Sequence, residues 1–313
     1  MVSTFFLGFL ISRVKFCTLN LLSKKGTVGI IFLFSGGLSV AWVQAAFSYQ
    51  LNDSTAIKAS LPTMYTFLGG LMFGLGMTVN GACEISTINR IANGELYRVA
   101  SVLGWLIVIF IFPESSFLID EGKDINVSYF YRNLLSLFIF VLIISYLLDL
   151  NGLDDLKSHY HWISIYIIAL LIAAPTAYDP SWVPTLYFND IAQGFNVDFG
   201  HLPSFGASVL FLSLIVGMFI SSLVKENFSF DYGSINQWIK CFLGGLTMGF
   251  GADIASGGNI IQVHGGLPNL SPSSIVFVFS MLVGILIGIK FFALHKWGNY
   301  SVSAKAANKR KPL

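Results

Sequence analysis

The chain has 313 residues, 55% of them hydrophobic and 11% charged, with a net charge of +2. A soluble domain carries about 25% charged residues, so this composition excludes a water-soluble globule and gives no global basic field for nucleic acid. The apolar stretches lack the roughly ten-residue alternating segments of an outer-membrane barrel, which leaves a polytopic α-helical membrane protein.

Taken in order, the N-terminus Met1-Val2-Ser3-Thr4 has no basic leader and no small-residue cleavage site after it, so no cleavable signal is expected. Phe5–Ile11 is too short to span and reads as a half-helix or entry segment. Arg13, Lys15, Lys24 and Lys25 follow, with Cys17 among them. Uncharged runs then extend over Gly26–Asn52 and Ala59–Cys83. The second of these dissolves at Asn80-Gly81 into the polar sequence Thr78, Asn80, Cys83, Glu84, Ser86, Thr87, Asn89, Arg90. Another helix is expected over Val99–Phe112, two more around 128–150 and 160–178, and further spans in Phe205–Val224 and Ile275–Ile289. The tail is basic, with Lys305, Lys309, Arg310 and Lys311, which places it on the cytoplasmic side together with the 13–25 loop.

The chain repeats itself. "GGLMFGLGMTVNGACEI" from Gly69 to Ile85 aligns with "GGLTMGFGADIASGGNI" from Gly244 to Ile260 at an offset of 175 residues. The same offset carries 26–47 onto 201–222 and 99–112 onto 274–287. This predicts a first transmembrane repeat over 1–115, a connecting region with two helices over 116–180, a second repeat over 181–297 and a basic cytoplasmic tail over 298–313. Glycine-interrupted hydrophobic segments at matching positions of two halves point to the central site of a transporter. Unwound backbone at membrane depth survives only where protein, water or solute satisfies its polar groups. The Gly-x-x-x-Gly spacings at Gly70/Gly74 and Gly245/Gly249 serve equally well for close helix packing. The segments 3–20 and 63–97 read as either re-entrant or spanning, so the residues alone leave the orientation of the repeats open.

Among chemistry-bearing residues, Cys83 follows the first break, where helix N-terminal amides favour thiolates and anions. Glu84 has two readings: an ionisable group at membrane depth with a function, or a helix-start acid placed on the dipole or paired with Arg90. Cys241 and His264 read as packing and loop residues. The three cysteines are too few and too widely spaced for a disulfide framework or a metal site. No G-x-S-x-G, Walker A or HExxH sequence occurs, so neither an enzyme nor a cofactor or metal is indicated.

The stretch "GGLMFGLGMTVNGACEISTINRIANGE" resembles the motif of the YeeE/YedE sulfur-transport family, in which Cys83 and Arg90 fit the Gly-Cys element and the Arg seven residues beyond. "SRVKFCTLN" is similar to the family's early R-x-x-F-C element through Arg13, Phe16 and Cys17, and "CFLGGLTMGFGADIASGGNI" to its second-half element. The resemblance implies an all-α bundle of about 8–10 transmembrane or half helices, in two inverted repeats whose broken helices meet at the midplane. It implies a multi-pass protein of the bacterial inner membrane that conducts a small sulfur anion such as thiosulfate past cysteine thiols. Carried over, the thiols are Cys17 and Cys83, and the breaks add Asn80, Gly81, Glu84, Gly257, Gly258 and Asn259 as substrate-contacting residues. The sequence departs from relatives at one point: Gly258 stands where they carry a third cysteine. Passage of another solute, such as a selenium species or a different anion, is therefore an alternative. So is a membrane sulfur carrier that hands a persulfide from Cys83 to a cytosolic sulfur-carrier protein.

Overall fold

The computed structural model describes residues 1–14, 17, 19, 59–112, 124–125, 156–196, 201–225, 228–267 and 269–294. The helices expected over Gly26–Asn52 and 128–150, and the 298–313 tail, lie outside the described residues. In chain order the helices are α1 (Val2–Val14), α2 (Met64–Asn80), α3 (Glu84–Ala92), α4 (Val99–Ile111), α5 (Leu156–Tyr178), α6 (Pro184–Asn196), α7 (Phe205–Val224), α8 (Ile235–Ile254) and α9 (Pro272–Leu294). A π-helical turn, Ile261–Gly266, follows α8. Ala59–Ser60 and Asp124–Ile125 form a two-residue antiparallel ladder, Ala59 opposite Ile125.

Local chemistry sets the ends of the broken helices. Thr63 and Thr66 form a reciprocal box, each hydroxyl accepting the other's backbone N–H at 3.2 Å, and so satisfy two of the amides orphaned at the start of α2. Gly81 ends that helix in the left-handed region, φ 71°, with its N–H on the Met77 carbonyl. In α8 the Ser234 N–H donates to Gln237 Oε1 at 2.7 Å. That helix ends in a comparable break, with Ser256 at φ 54° and Gly257 at φ 142°.

The duplicated glycines define how the halves meet. A methyl group built on Gly69 would lie 2.6 Å from the Gly251 carbonyl oxygen, and one on Gly76 would lie 2.6 Å from the Met248 nitrogen and 2.9 Å from the Gly244 oxygen. Going up α2 therefore means going down α8, so the two broken helices are antiparallel. Gly69 and Gly244 are repeat partners, as are Gly76 and Gly251, so each contact recurs with its partners exchanged, as a two-fold axis requires. That axis runs across the helices, which makes the repeats inverted. On its other side α2 lies parallel to α9, with Gly70 against Phe277 and Ser280 and Gly74 against Met281 and Ile285. α8 lies parallel to α4 in the same way, with Gly245 against Ser101 and Gly249 against Trp105. The glycines before the breaks thus serve backbone-to-backbone packing, the dominant device where lipid supplies no hydrophobic drive between helices.

The outer faces are apolar. Leu103, Ile107 and Phe110 on α4, Leu212, Val216 and Phe219 on α7, and Phe279, Leu286 and Ile287 on α9 are all exposed. Met64–Ala92, Phe205–Val224 and Pro272–Phe291 are long and apolar enough to cross a bilayer. An apolar belt of this extent on several helices is the surface of a protein solvated by lipid. α1 packs parallel to α7, Gly8 against Leu214 and Met218 and Gly217 against Phe5 and Phe9, with the Thr4 and Ser213 hydroxyls bonded near one end and the Lys225 ammonium donating to the Arg13 carbonyl at the other.

Candidate functional site

The first break is a run of four residues, Asn80 to Cys83, whose carbonyls are all accounted for. The Asn80 carbonyl accepts from Arg98 Nη1. The Gly81 carbonyl accepts from Arg90 Nη1 at 3.3 Å, that of Ala82 from Asn80 Nδ2 at 3.1 Å, and that of Cys83 from the Thr87 N–H at 2.8 Å and its hydroxyl at 2.9 Å. Asn80 Nδ2 also donates to Thr87 Oγ1 at 2.8 Å, and Asn80 Oδ1 accepts from Arg98 Nη1 at 3.2 Å. The polar residues after the break therefore neutralise its acceptors. Cys83 starts α3 without a side-chain cap, so the dipoles directed at the break from that side are first-turn amides.

The anchoring cations are held in turn by Glu95. Its carboxylate accepts from Arg90 Nε at 2.9 Å, from Tyr97 Oη at 2.6 Å and from Arg98 Nε at 3.3 Å. Burial alone would raise the Glu95 carboxyl, but the Arg90 charge, the Tyr97 hydroxyl and the Arg98 charge together hold it below the usual carboxylate range. Arg90 thus bonds Glu95 and Gly81 rather than Glu84, which excludes the Arg90–Glu84 pairing that the sequence left open.

Glu84 faces the opposite way. Its side chain is fully buried, with one carboxylate oxygen accepting from Thr185 Oγ1 at 2.5 Å and the other from the Ile260 N–H at 3.3 Å. Thr185 is held in place by a tight local motif. The Asp179 carboxylate caps the following turn through the Ser181 N–H at 3.0 Å and accepts from Ser204 Oγ at 2.6 Å. Trp182 is wholly buried, and Pro184 then starts α6 one residue before Thr185. Ile260 precedes the π-helical turn, which also lacks a side-chain cap. Three helix starts, those of α3, α6 and the second break, therefore converge on one carboxylate.

The second break carries its own carbonyl partners. Gln262 Nε2 donates to the Ala255 carbonyl at 3.0 Å and is steadied by Ser274 Oγ, which donates to Gln262 Oε1 at 2.6 Å. The Gly258 carbonyl accepts the Gln262 N–H at 3.1 Å. A methyl group built on Gly258 would overlap both Glu84 Oε2 and Thr185 Oγ1. Asn259 is buried beside it, and Gly257 adopts a backbone angle that only glycine takes easily.

The structure places Cys17 and Cys83, 4% and 1% exposed, in one buried cluster with Phe73, Met77, Met248 and Met281. Cys241 belongs to a separate cluster with Tyr97 and Ala100. Thus Glu84 of the first break meets Gly258 and Ile260 of the second, while Cys241 stands apart. Thr185, Gln262 and Arg98 are candidate-site residues that sequence reasoning missed. Thr185 and Gln262 lie in stretches without a motif, and the buried Arg98 looks like an ordinary interfacial arginine in sequence.

A family profile for sulphur transport matches the chain twice, over residues 19–145 and 158–287. No curated protein sequence matches it. The two matches cover most of the chain and fall one on each half, in keeping with inverted repeats joined at paired breaks inside a lipid-facing bundle. This multi-pass membrane protein belongs to the YeeE/YedE sulphur-transport family.

Proposed function

We propose that the protein is an inner-membrane channel or carrier for a small sulfur-containing inorganic anion of the thiosulfate type, which crosses where the two breaks meet. The observation that carries this reading is the asymmetry of the first break. Its carbonyls are taken by Arg98, Arg90, Asn80 and Thr87, whereas α3 starts there without a side-chain cap on its amides. Such a place favours negative charge. Cys17 and Cys83 supply soft, polarisable contacts to the sulfur of the ion, weak enough to be released again, as conduction requires. Asn80 and Gly81 shape the break, and Gly257, Gly258 and Asn259 shape its counterpart. The burial of Cys83, 1% exposed, disfavours a persulfide carrier that must reach a cytosolic protein.

The test is uptake of labelled thiosulfate by proteoliposomes holding the purified chain, with sulfite, sulfate and selenite as competitors. Cys83→Ala is expected to abolish uptake while the protein stays folded in the membrane. Undiminished uptake by that variant would remove the thiols from the mechanism. Stronger competition by selenite than by sulfite or sulfate would move the substrate toward selenium species, the alternative that the glycine at 258 favours.

A further inference from the structure

The offset that relates the repeats pairs Cys83 with Gly258, so one break presents a thiol where the other presents no side chain. The space is nevertheless filled. A Cβ on Gly258 would run into Glu84 Oε2 and Thr185 Oγ1, and the same carboxylate accepts the Ile260 amide. We infer that Glu84 stands in for a side chain at 258 and is a tethered competitor for the permeating anion: ionised, it occupies the donors of the second break, and only its protonated form lets an anion pass. This rests on the anion-conducting reading above.

The carboxylate has one hydroxyl and one amide as partners, and among the described residues no cation bonds it. Arg90 and Arg98 are committed to Glu95 and to the carbonyls of the first break. The other ionisable groups on the elements packed around α3 are Arg13 at the end of α1, Tyr97 in the turn before α4, Tyr187 and Asp190 on α6, and Lys225 after α7. Asp253 and His264 lie on the second break. None of them hydrogen-bonds the Glu84 carboxyl. A second anion entering beside an ionised Glu84 would meet a like charge in a site from which water is largely excluded, and would find its donors taken. Protonation removes the charge and weakens the hold on the Ile260 amide, since a neutral carbonyl oxygen is a poorer acceptor than a carboxylate oxygen. It also gives the carboxyl one O–H donor toward the incoming anion. The proton comes from bulk water, stays on the carboxyl while the anion passes and returns to water afterwards, so none is consumed. Thr185 is the positioning residue, holding the carboxyl over Gly258.

Two measurements on the full-length protein test this. In proteoliposomes, thiosulfate uptake by the wild type should rise as pH falls, approaching roughly tenfold per pH unit on the alkaline side of the Glu84 titration, as for a single-proton equilibrium. Glu84→Gln, neutral at every pH, should be flat and match the acid level of the wild type. A Glu84→Gln variant that keeps the wild-type pH profile overturns the inference and leaves the proposed function standing. A wild type that carries no sulfur anion at any pH overturns both. Separately, and without any transport assay, Gly258→Cys should lower the thermal midpoint of the detergent-solubilised protein. Combined with Glu84→Ala, the same substitution should be tolerated. A Gly258→Cys single variant as stable as the wild type would show that Glu84 does not fill that space.

Discussion

Arg98→Met offers a sharp test of how the first break is held open. Arg98 is 5% exposed, and its guanidinium donates to the Asn80 carbonyl, to Asn80 Oδ1 and to Glu95. Methionine fills similar volume without a donor. It leaves the Asn80 carbonyl and Oδ1 unsatisfied in the protein interior, at about 1–3 kcal/mol per buried group. The Glu95 share is small, because Arg90 and Tyr97 still bond that carboxylate and its side chain is 23% exposed. The sum comes to about 3 kcal/mol, which for a chain of this size corresponds to a fall in thermal midpoint on the order of 5 °C. The assay is thermal unfolding of the purified protein in mild detergent, read by tryptophan fluorescence and by monodisperse recovery on gel filtration. Arg98→Lys, which keeps the charge and loses the fork, should fall between the two. A midpoint for Arg98→Met within a degree of the wild type would refute the view that this guanidinium anchors the end of α2.

The remaining predictions use the same preparation. Because the Glu95 carboxyl is held below its ordinary value, the stability it contributes is complete above the unfolded Glu value of about 4.3 and is lost as pH falls through the lower folded value. Glu95→Gln should therefore flatten the acid limb of a stability–pH profile, and an unchanged limb would argue against the hold of Arg90, Tyr97 and Arg98 on that carboxylate. Gly245→Leu places side-chain atoms on the Ser101 backbone and should sharply reduce folded yield. Gly206→Ala, whose nearest neighbour would be 3.4 Å away, should be neutral, and equal yields for the two would undo the packing argument. Cys241→Ala should leave thiosulfate uptake intact, since Cys241 clusters with Tyr97 and Ala100 rather than with Cys83; loss of uptake would put a third thiol on the path. Thr185→Val deletes the hydroxyl that Glu84 accepts from and should cost about 1–3 kcal/mol, read as a lower midpoint.

The breaks were legible in the sequence because their cause is short-range. Asn80-Gly81 and Ser256-Gly257-Gly258 combine residues that leave the right-handed helix easily with polar neighbours that no lipid-facing span would carry. The duplication was legible because its register holds without a gap. The identity of each polar partner was not, since the bonds span large separations: Glu84 reaches residues 101 and 176 positions away. Arg90 illustrates the difficulty. As a sequence feature it fits an interfacial anchor or a partner of Glu84, and only the fold of the α3–α4 connection turns it toward the Gly81 carbonyl and Glu95. Gly258 looked like a loss in one dimension. In three dimensions it is the complement of a side chain from the other half.

The bare-backbone seam between α2 and α8 also bears on motion. With Gly69 against Gly251 and Gly76 against Met248 and Gly244, the two halves touch along a line with almost no side-chain cushion, so a hinge there would sever many contacts at once. A working cycle is cheaper if this central weld stays shut and displacement falls to the periphery, where α1 leans on α7 and the half-helices pivot at their glycines. Access would then alternate by small local yielding around a fixed waist instead of a rocking of one lobe against the other.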